Sequence, residues 1–261
     1  MCLRSYLGCL RGMGVLRKSQ REIAAMRQSG RVVALVLQKV VEEVRVGRRT
    51  RDLEAVCIKE LAEYDAQPSF KGYHGFPGYL CVSVNEEVVH GIAGDRVLRT
   101  GDIVSLDFGA IVNGLHGDAA VTVGVGKVSS QAEELMKVTQ EALYAGIDAA
   151  REGSHLGDVS SAVQSHVEMN GFTIVREYTG HGIGYKMHEE PQIPNFGKAG
   201  DGPLLKKGMT FAIEPMVNIG GWQTRVLDNC WTVVTADGSL SAHFEHTIAI
   251  TDGMPEILTR L

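Results

Sequence analysis

The sequence predicts an α+β protein in which helices cover one face of a curved antiparallel sheet, and three observations carry that expectation. Two β-branched apolar runs between Ile103 and Val123 meet at Asn113-Gly114, the strongest short-range signal for a two-residue hairpin. Two stretches that open on Ser-x-x-Glu, Ser19 to Glu22 and Ser130 to Glu133, continue with apolar residues at helical spacing. The last third is rich in short strand-like runs separated by turn signals, so each half of the chain reads as helices followed by antiparallel strands, without a clear residue-level repeat.

Taken in order, the Ser19 capping box opens a helix of about 25 residues in which Ile23, Met26, Val33, Leu37, Val40, Val41 and Val44 form one apolar stripe, ended by Gly47. A second helix opens at Thr50, carries Leu53, Val56, Cys57, Leu61 and Tyr64, and stops between Asp65 and Pro68. A glycine-rich loop follows, in which Phe70, Tyr73 and Phe76 are close enough in sequence to line a pocket. Leu80 to Val84 and Val88 to Gly91 read as short strands ahead of the hairpin. Ser130 caps a third helix through Leu135, Val138, Ala142 and Leu143 toward Gly153, and a fourth spans Leu156 to Met169, stopped by Asn170-Gly171. Strands are expected at Phe172 to Tyr178, Met209 to Glu214, Trp231 to Thr235 and, after an Asp237-Gly238 turn, Ser241 to Thr251.

At 261 residues and 44% hydrophobic content the chain can bury a substantial core. A net charge of −5 without a Lys/Arg-rich block argues against nucleic acid as a specific partner. Five cysteines, Cys2, Cys9, Cys57, Cys81 and Cys230, are odd in number and lack CxxC spacing, which excludes a disulfide framework or zinc ribbon and fits the reducing cytoplasm. No apolar run approaches a membrane span. Met13 stands just before the first patterned segment, so residues 1 to 12 are expected to be a disordered extension or the product of an upstream start, and residues 13 to 261 a single domain.

The hairpin is where chemistry concentrates. With Asn113 and Gly114 as the loop, Asp107 faces Ala120 and Asp118 faces Gly109. Gly109 and Asp107 share a face under the two-residue alternation, which makes the aspartates diagonal neighbours with α-carbons about 7 Å apart. Buried like charges repel and lose hydration unless a proton or a cation compensates, and a divalent metal is the natural compensation. The rest of that face, Ile103, Ser105, Gly109, Ala120 and Thr122, is small and semi-polar, unlike an ordinary solvated strand face. Further donors come from later in the chain. His181 lies in a loop between Gly180 and Gly182, Glu214 ends the apolar run Phe211-Ala212-Ile213, and Glu245 shares a face of the last strand with His243 and Thr247. Four strand carboxylates with one histidine form an oxygen-rich, one-nitrogen set suited to two divalent cations of the manganese, iron, cobalt or zinc type.

Gly72-Tyr-His-Gly-Phe76, Ser83-Val-Asn-Glu86, His90-Gly91, Asp107, His116-Gly117-Asp118, Gly180-His-Gly-Ile-Gly184, His188-Glu-Glu-Pro191, Thr210-Phe-Ala-Ile-Glu-Pro-Met216 and Glu245-His-Thr247 are highly specific in combination. From Val15 to Leu261 the chain resembles the type I methionine aminopeptidases, whose pita-bread fold is shared with prolidase and aminopeptidase P. The resemblance implies a curved antiparallel sheet with helices on its outer face and two pseudo-symmetric halves. It implies that Asp107 chelates one metal, that His181 and Glu214 bind the other, and that Asp118 and Glu245 bridge both.

By the same resemblance His90 lies near the substrate backbone, His188 hydrogen-bonds the scissile carbonyl or its oxyanion, and Glu214 shuttles the proton of the attacking water. Phe70, Tyr73, His74, Phe76, Cys81, Met187 and Trp231 match positions around the methionine pocket. Phe70 stands where many bacterial members have a small residue, and Met187 where phenylalanine is usual. The implied substrates are the N-termini of nascent, deformylated polypeptides with a small second residue, met by a monomer with transient ribosome association and no membrane partner. A proline-directed peptidase of the same fold and a metal-free binding module are the rival readings; the first usually has a large N-terminal domain, and the second would be expected to lose ligands.

Overall fold

The computed structural model describes residues 14–261; the extension expected over residues 1 to 12 lies outside the described residues. Helix α1 (Gln20–Glu42) starts as expected, with Ser19 Oγ accepting from the Glu22 N–H at 3.3 Å and the Glu22 carboxylate accepting from the Ser19 N–H at 2.5 Å. Helix α2 (Thr50–Leu61) opens at Thr50 as expected, with Arg49 in the cap position: the Asp52 carboxylate accepts from the Arg49 N–H, while the Thr50 hydroxyl donates to the Gly94 carbonyl. Strand β1 (Gln67–Pro68), a 3-10 turn at Tyr73–Gly75, β2 (Cys81–Val84) and β3 (Glu87–Val89) lead to the hairpin of β4 (Ile103–Val112) and β5 (Leu115–Gly124). Asn113 and Gly114 have φ of 53° and 77°, both positive as a type I′ turn requires, and the register pairs Asp107 with Ala120 and Gly109 with Asp118.

Helix α3 (Ser130–Ala149) begins one residue earlier than expected, because Ser129 takes the cap and accepts from the Ala132 N–H at 3.1 Å. Helix α4 (Leu156–Met169) ends at Asn170 as expected. Strand β6 (Thr173–Ile174) is shorter than the sequence suggests, since after Val175 the chain turns Arg176 outward over the rings of Phe196 and Trp222. Then come β7 (Gly180–Gly182), β8 (Glu189–Ile193), β9 (Thr210–Ile213), β10 (Met216–Asn218), β11 (Thr224–Val226), β12 (Val233–Thr235), β13 (Ser241–His243), β14 (Glu245–Ala249) and β15 (Glu256–Ile257). The single strand expected from Ser241 to Thr251 breaks at Phe244, because β13 pairs with β10 whereas β14 pairs with β5, β9 and β15.

The main sheet runs β1-β4-β5-β14-β9-β7-β8, with β2 on β4 and β15 on β14; β13-β10-β6 and β11-β12-β3 form two smaller sheets. One face of the main sheet is apolar and meets the helices. Val33, Val36 and Val40 of α1 join Leu106, Phe108 and Ala119 in one core cluster, and Leu143 and Ile147 of α3 join Phe211, Ile213 and Ile248 in another. The long helix lies so close to the hairpin that a Cβ on Gly117 would stand 2.8 Å from the Gly30 nitrogen, and one on Gly30 would stand 2.2 Å from the Leu258 carbonyl oxygen. Ser29 seals the contact by donating to the Leu115 carbonyl at 2.8 Å.

This approach makes Gly30→Ala a sensitive probe. The methyl group improves helix propensity but meets backbone on the facing segment, so a net loss of about 1–3 kcal/mol is expected, read as a lowered thermal unfolding midpoint. A midpoint equal to or above that of the parent protein would contradict the tight packing.

Candidate metal centre

The strand registers bring the candidate ligands to one face without any special loop geometry. Directly paired residues of antiparallel strands project to the same side, and Cys81 pairs with Asp107, Asp107 with Ala120, and Ala120 with Glu245. Asp118 is two residues from Ala120 and therefore joins that side. On the other edge of β14, Thr247 pairs with Ala212 and Ala212 with His181; Glu214, two residues beyond Ala212, faces the same way. His181 thus sits in a strand, β7, and not in the loop that its flanking glycines suggested. The Asp118 backbone is pinned by Thr247, whose hydroxyl accepts from its N–H at 3.0 Å and donates to its carbonyl at 2.8 Å.

The resulting floor is short of hydrogen-bond partners. Asp107 Oδ1, Asp118 Oδ1 and Glu245 Oε1 are buried without one, which is costly for carboxylates. Burial pushes Asp107 and Glu214 up to about 7. Burial, reinforced by the neighbouring carboxylates, holds Asp118 and Glu245 well above the usual range. His181 donates from Nδ1 to the Gly182 carbonyl at 2.9 Å, which leaves Nε2 free as a ligand nitrogen, and burial keeps the ring neutral. One donor atom each from Asp118, His181 and Glu245 lie within 4.8 Å of one another. Glu214 stands beside them, its Oε1 3.6 Å from His181 Nε2 and its Oε2 3.6 Å from His243 Nε2. Orphaned oxygens around a neutral imidazole nitrogen fit a divalent cation.

The aromatic loop and the segment from Ile183 to Glu189 build the wall beside this floor. Phe70, Phe76, Cys81 and Met187 share one buried cluster with the partly buried Tyr73 and Trp231. Phe76 meets Trp231 edge-on at 5.1 Å and Phe70 at 6.4 Å. Gly109 makes room for Phe70: a Cβ there would stand 3.0 Å from its ring. His188 reaches solvent along one edge, yet its ring packs 4.2 Å from His181 and 5.3 Å from Tyr73, whose hydroxyl lies 2.7 Å from His188 Nδ1. With the phenol donating, the ring proton resides on Nε2; burial, then competition with the neighbouring imidazoles for a shared positive charge, lowers His188 to about 2 and keeps it neutral. His90 has φ of 59°, lies 5.9 Å from the Tyr178 ring and is lowered to about 4 by burial, and the exposed His74 stands 4.4 Å from Tyr73.

Three features of the site lie outside the sequence reading. Lys18 and Glu189 form a buried 2.6 Å ion pair next to His188. The His116 side chain meets Ser69 Oγ at 2.9 Å while its backbone N–H donates to Gly184, tying the hairpin to the wall. His243 faces Glu214; the alternation that put it on the face of Glu245 was the available signal.

A model of metallopeptidase family M24 matches residues 24–252. Methionine aminopeptidase 1 of Bacillus subtilis is 49% identical over 247 residues, covering 95% of this chain and 100% of that protein. The Escherichia coli methionine aminopeptidase is 43% identical over 249 residues, covering 95% and 94%. The chain belongs to the methionine aminopeptidases of family M24. Like the rest of this metallopeptidase family it is a metal-dependent hydrolase, and its donor set leaves the identity of the divalent metal open. The solved methionine aminopeptidase of Thermotoga maritima superposes with a TM-score of 0.94 at 46% identity, covering 95% of this chain and 100% of that one. Prolidase from Pyrococcus furiosus, at 23% identity and a TM-score of 0.77, shares the pita-bread fold over 94% of this chain and 65% of its own.

The buried acids give a metallopeptidase of this kind a pH signature once a chelator has removed its metal. Asp118 and Glu245 keep their protons in the folded chain well above the pH at which the unfolded chain releases them. The folded form therefore binds more protons, and stability falls as pH rises, by up to about 1.4 kcal/mol per unit for each group. Buried histidines such as His90 and His246, lowered to about 4, oppose this until the unfolded-state histidines, with an ordinary pKa of about 6.5, have lost most of their protons about one pH unit higher. Above about pH 7.5 the unfolding midpoint of stripped protein is expected to fall as pH rises, and saturating divalent metal to abolish the fall. A level or rising midpoint in the stripped protein would contradict it.

Proposed function

We propose that the chain removes the N-terminal methionine from nascent, deformylated polypeptides whose second residue is small, by attack of water at a pair of divalent metal ions. The observation that carries this reading is the single buried face that gathers Asp107, Asp118, Glu245, Glu214 and His181, with three carboxylate oxygens left unpartnered. Asp107 would hold one metal, His181 and Glu214 the other, with Asp118 and Glu245 between them. Metal bound there supplies Lewis acidity toward water and the scissile carbonyl.

The chain's own groups do the rest. Glu214 takes the proton of the attacking water and passes it to the departing amine. His188, with Nδ1 tied to Tyr73, directs its Nε2–H at the carbonyl oxygen as negative charge develops. Phe70, Tyr73, His74, Phe76, Cys81, Met187 and Trp231 surround the methionine side chain, and His90 lies along the substrate backbone. The free amine terminus sits toward Asp107, so acylated termini are excluded. Because ligands come from both halves of the chain, residues 13 to 261 act as one catalytic domain. The reaction is assigned to the cytoplasm, to a monomer in transient association with the ribosome; among the described residues no helix is long and apolar enough to cross a membrane.

A peptide panel tests the substrate assignment. Met-Ala and Met-Gly peptides are expected to be cleaved by metal-loaded protein, while Met-Leu, Met-Lys, Ala-Pro and formyl-Met-Ala peptides remain nearly intact. Comparable rates on Met-Lys and Met-Ala would refute the second-residue rule, and cleavage of Ala-Pro would favour a proline-directed peptidase.

His188→Ala separates the transition-state role from a structural one. It is expected to lower kcat and kcat/KM together by about 10² to 10³ with metal content unchanged. Near-normal kcat in the folded fraction, with only a lowered unfolding midpoint, would exclude His188 from the reaction.

A further inference from the structure

His243 closes β13 one residue before the break at Phe244, and it is 1% exposed. Its backbone is fixed by the site floor: the N–H donates to Thr122 Oγ1 at 2.9 Å, and the carbonyl accepts from the same hydroxyl at 2.7 Å. Thr122 is itself 2.8 Å from Ser105 Oγ on the paired strand. The imidazole is therefore delivered to the centre by the same hairpin that delivers Asp107 and Asp118. Its Nε2 is buried without a hydrogen-bond partner and stands 3.6 Å from Glu214 Oε2, just beyond hydrogen-bond reach. The other oxygen of Glu214 faces His181 Nε2 at the same 3.6 Å, so the carboxylate lies between two imidazoles. Unlike His181, His243 is outside the cluster of donor atoms that converges within 4.8 Å. Among the site carboxylates its ring stands nearest Glu214, with Asp107 also within electrostatic range.

We propose that His243 is a positioning residue that donates its Nε2–H to Oε2 of Glu214, holding Oε1 toward His181 and so raising the affinity of the centre for divalent metal. The inference rests on the reading of Glu214 and His181 as ligands. An unpaired buried polar atom is costly, and this bond recovers that cost when the centre is loaded. Partners that orient ligating carboxylates in this way are worth about 10- to 100-fold in metal affinity.

The test uses manganese as the probe and the whole 261-residue chain. Mn²⁺ affinity is measured by competition with a chromophoric chelator for the parent protein, His243→Leu and His243→Gln, alongside thermal unfolding of the stripped forms. His243→Leu is expected to bind Mn²⁺ about 10- to 100-fold more weakly. His243→Gln, whose amide N–H can reach the same oxygen, restores most of the affinity. Stripped His243→Leu unfolds no earlier than the stripped parent, since it removes an unpaired atom. Parent-like affinity in His243→Leu, or no recovery in His243→Gln, overturns the proposal while leaving the ligand assignment standing. A parent protein that fails to bind Mn²⁺ and every other divalent ion overturns the ligand assignment and the proposal with it.

Discussion

Four carboxylates placed on one dry face cannot all be ionised without a compensating cation, and most of the architecture serves that constraint. The strands that carry them are backed by an apolar face packed on helices, so none of the acids can turn away to water without breaking the register. Small neighbours keep the floor open: Ala120 lies between Asp107 and Glu245 across the strands, and Gly109 leaves space that the Phe70 ring occupies. Thr247 spends its hydroxyl on the Asp118 backbone, leaving the carboxylate itself for a metal. Stability and chemistry are therefore not separable here, because the groups that destabilise the metal-free floor are those that could hold an ion.

The wall beside the floor is held differently. The segment that carries Met187 and His188 has little regular structure of its own and depends on tethers from distant parts of the chain. Lys18 reaches across Gly184 to Glu189, where a Cβ would meet the lysine side chain at 2.2 Å. Tyr185 donates to Glu22 at the start of α1, and Gly184 accepts from the His116 backbone. The capping box that starts the first helix thus also anchors the wall, linking a local folding signal to the position of the His188 imidazole.

The hairpin was legible in the sequence because its determinants are local: a dipeptide that accepts positive φ at both positions and an alternation that fixes the faces of Asp107 and Asp118. The first helix was legible for the same reason. Ser129 and Ser130 are adjacent and chemically equivalent as caps, so sequence alone could not choose between them. Strands β7 and β8 were hidden because glycine carries no side-chain pattern and the short run at Glu189–Ile193 does not alternate. The break at Phe244 reflects which strands lie alongside, and the Lys18–Glu189 pair joins residues 171 positions apart. Neither leaves a trace in a short window of sequence.

Strand β14 lies between β5 and β9 and so joins strands from the first half of the chain to strands from the second. Until it is inserted, the Asp107–Asp118 side and the His181–Glu214 side belong to separate sheet fragments, and Glu245 is missing from between them. Pairings of such long sequence separation slow folding, because loop-closure entropy must be met before their contacts are gained. A chain in which β14 has not yet paired therefore holds its acids on two separate fragments, with no shared cradle in which they could gather round one ion.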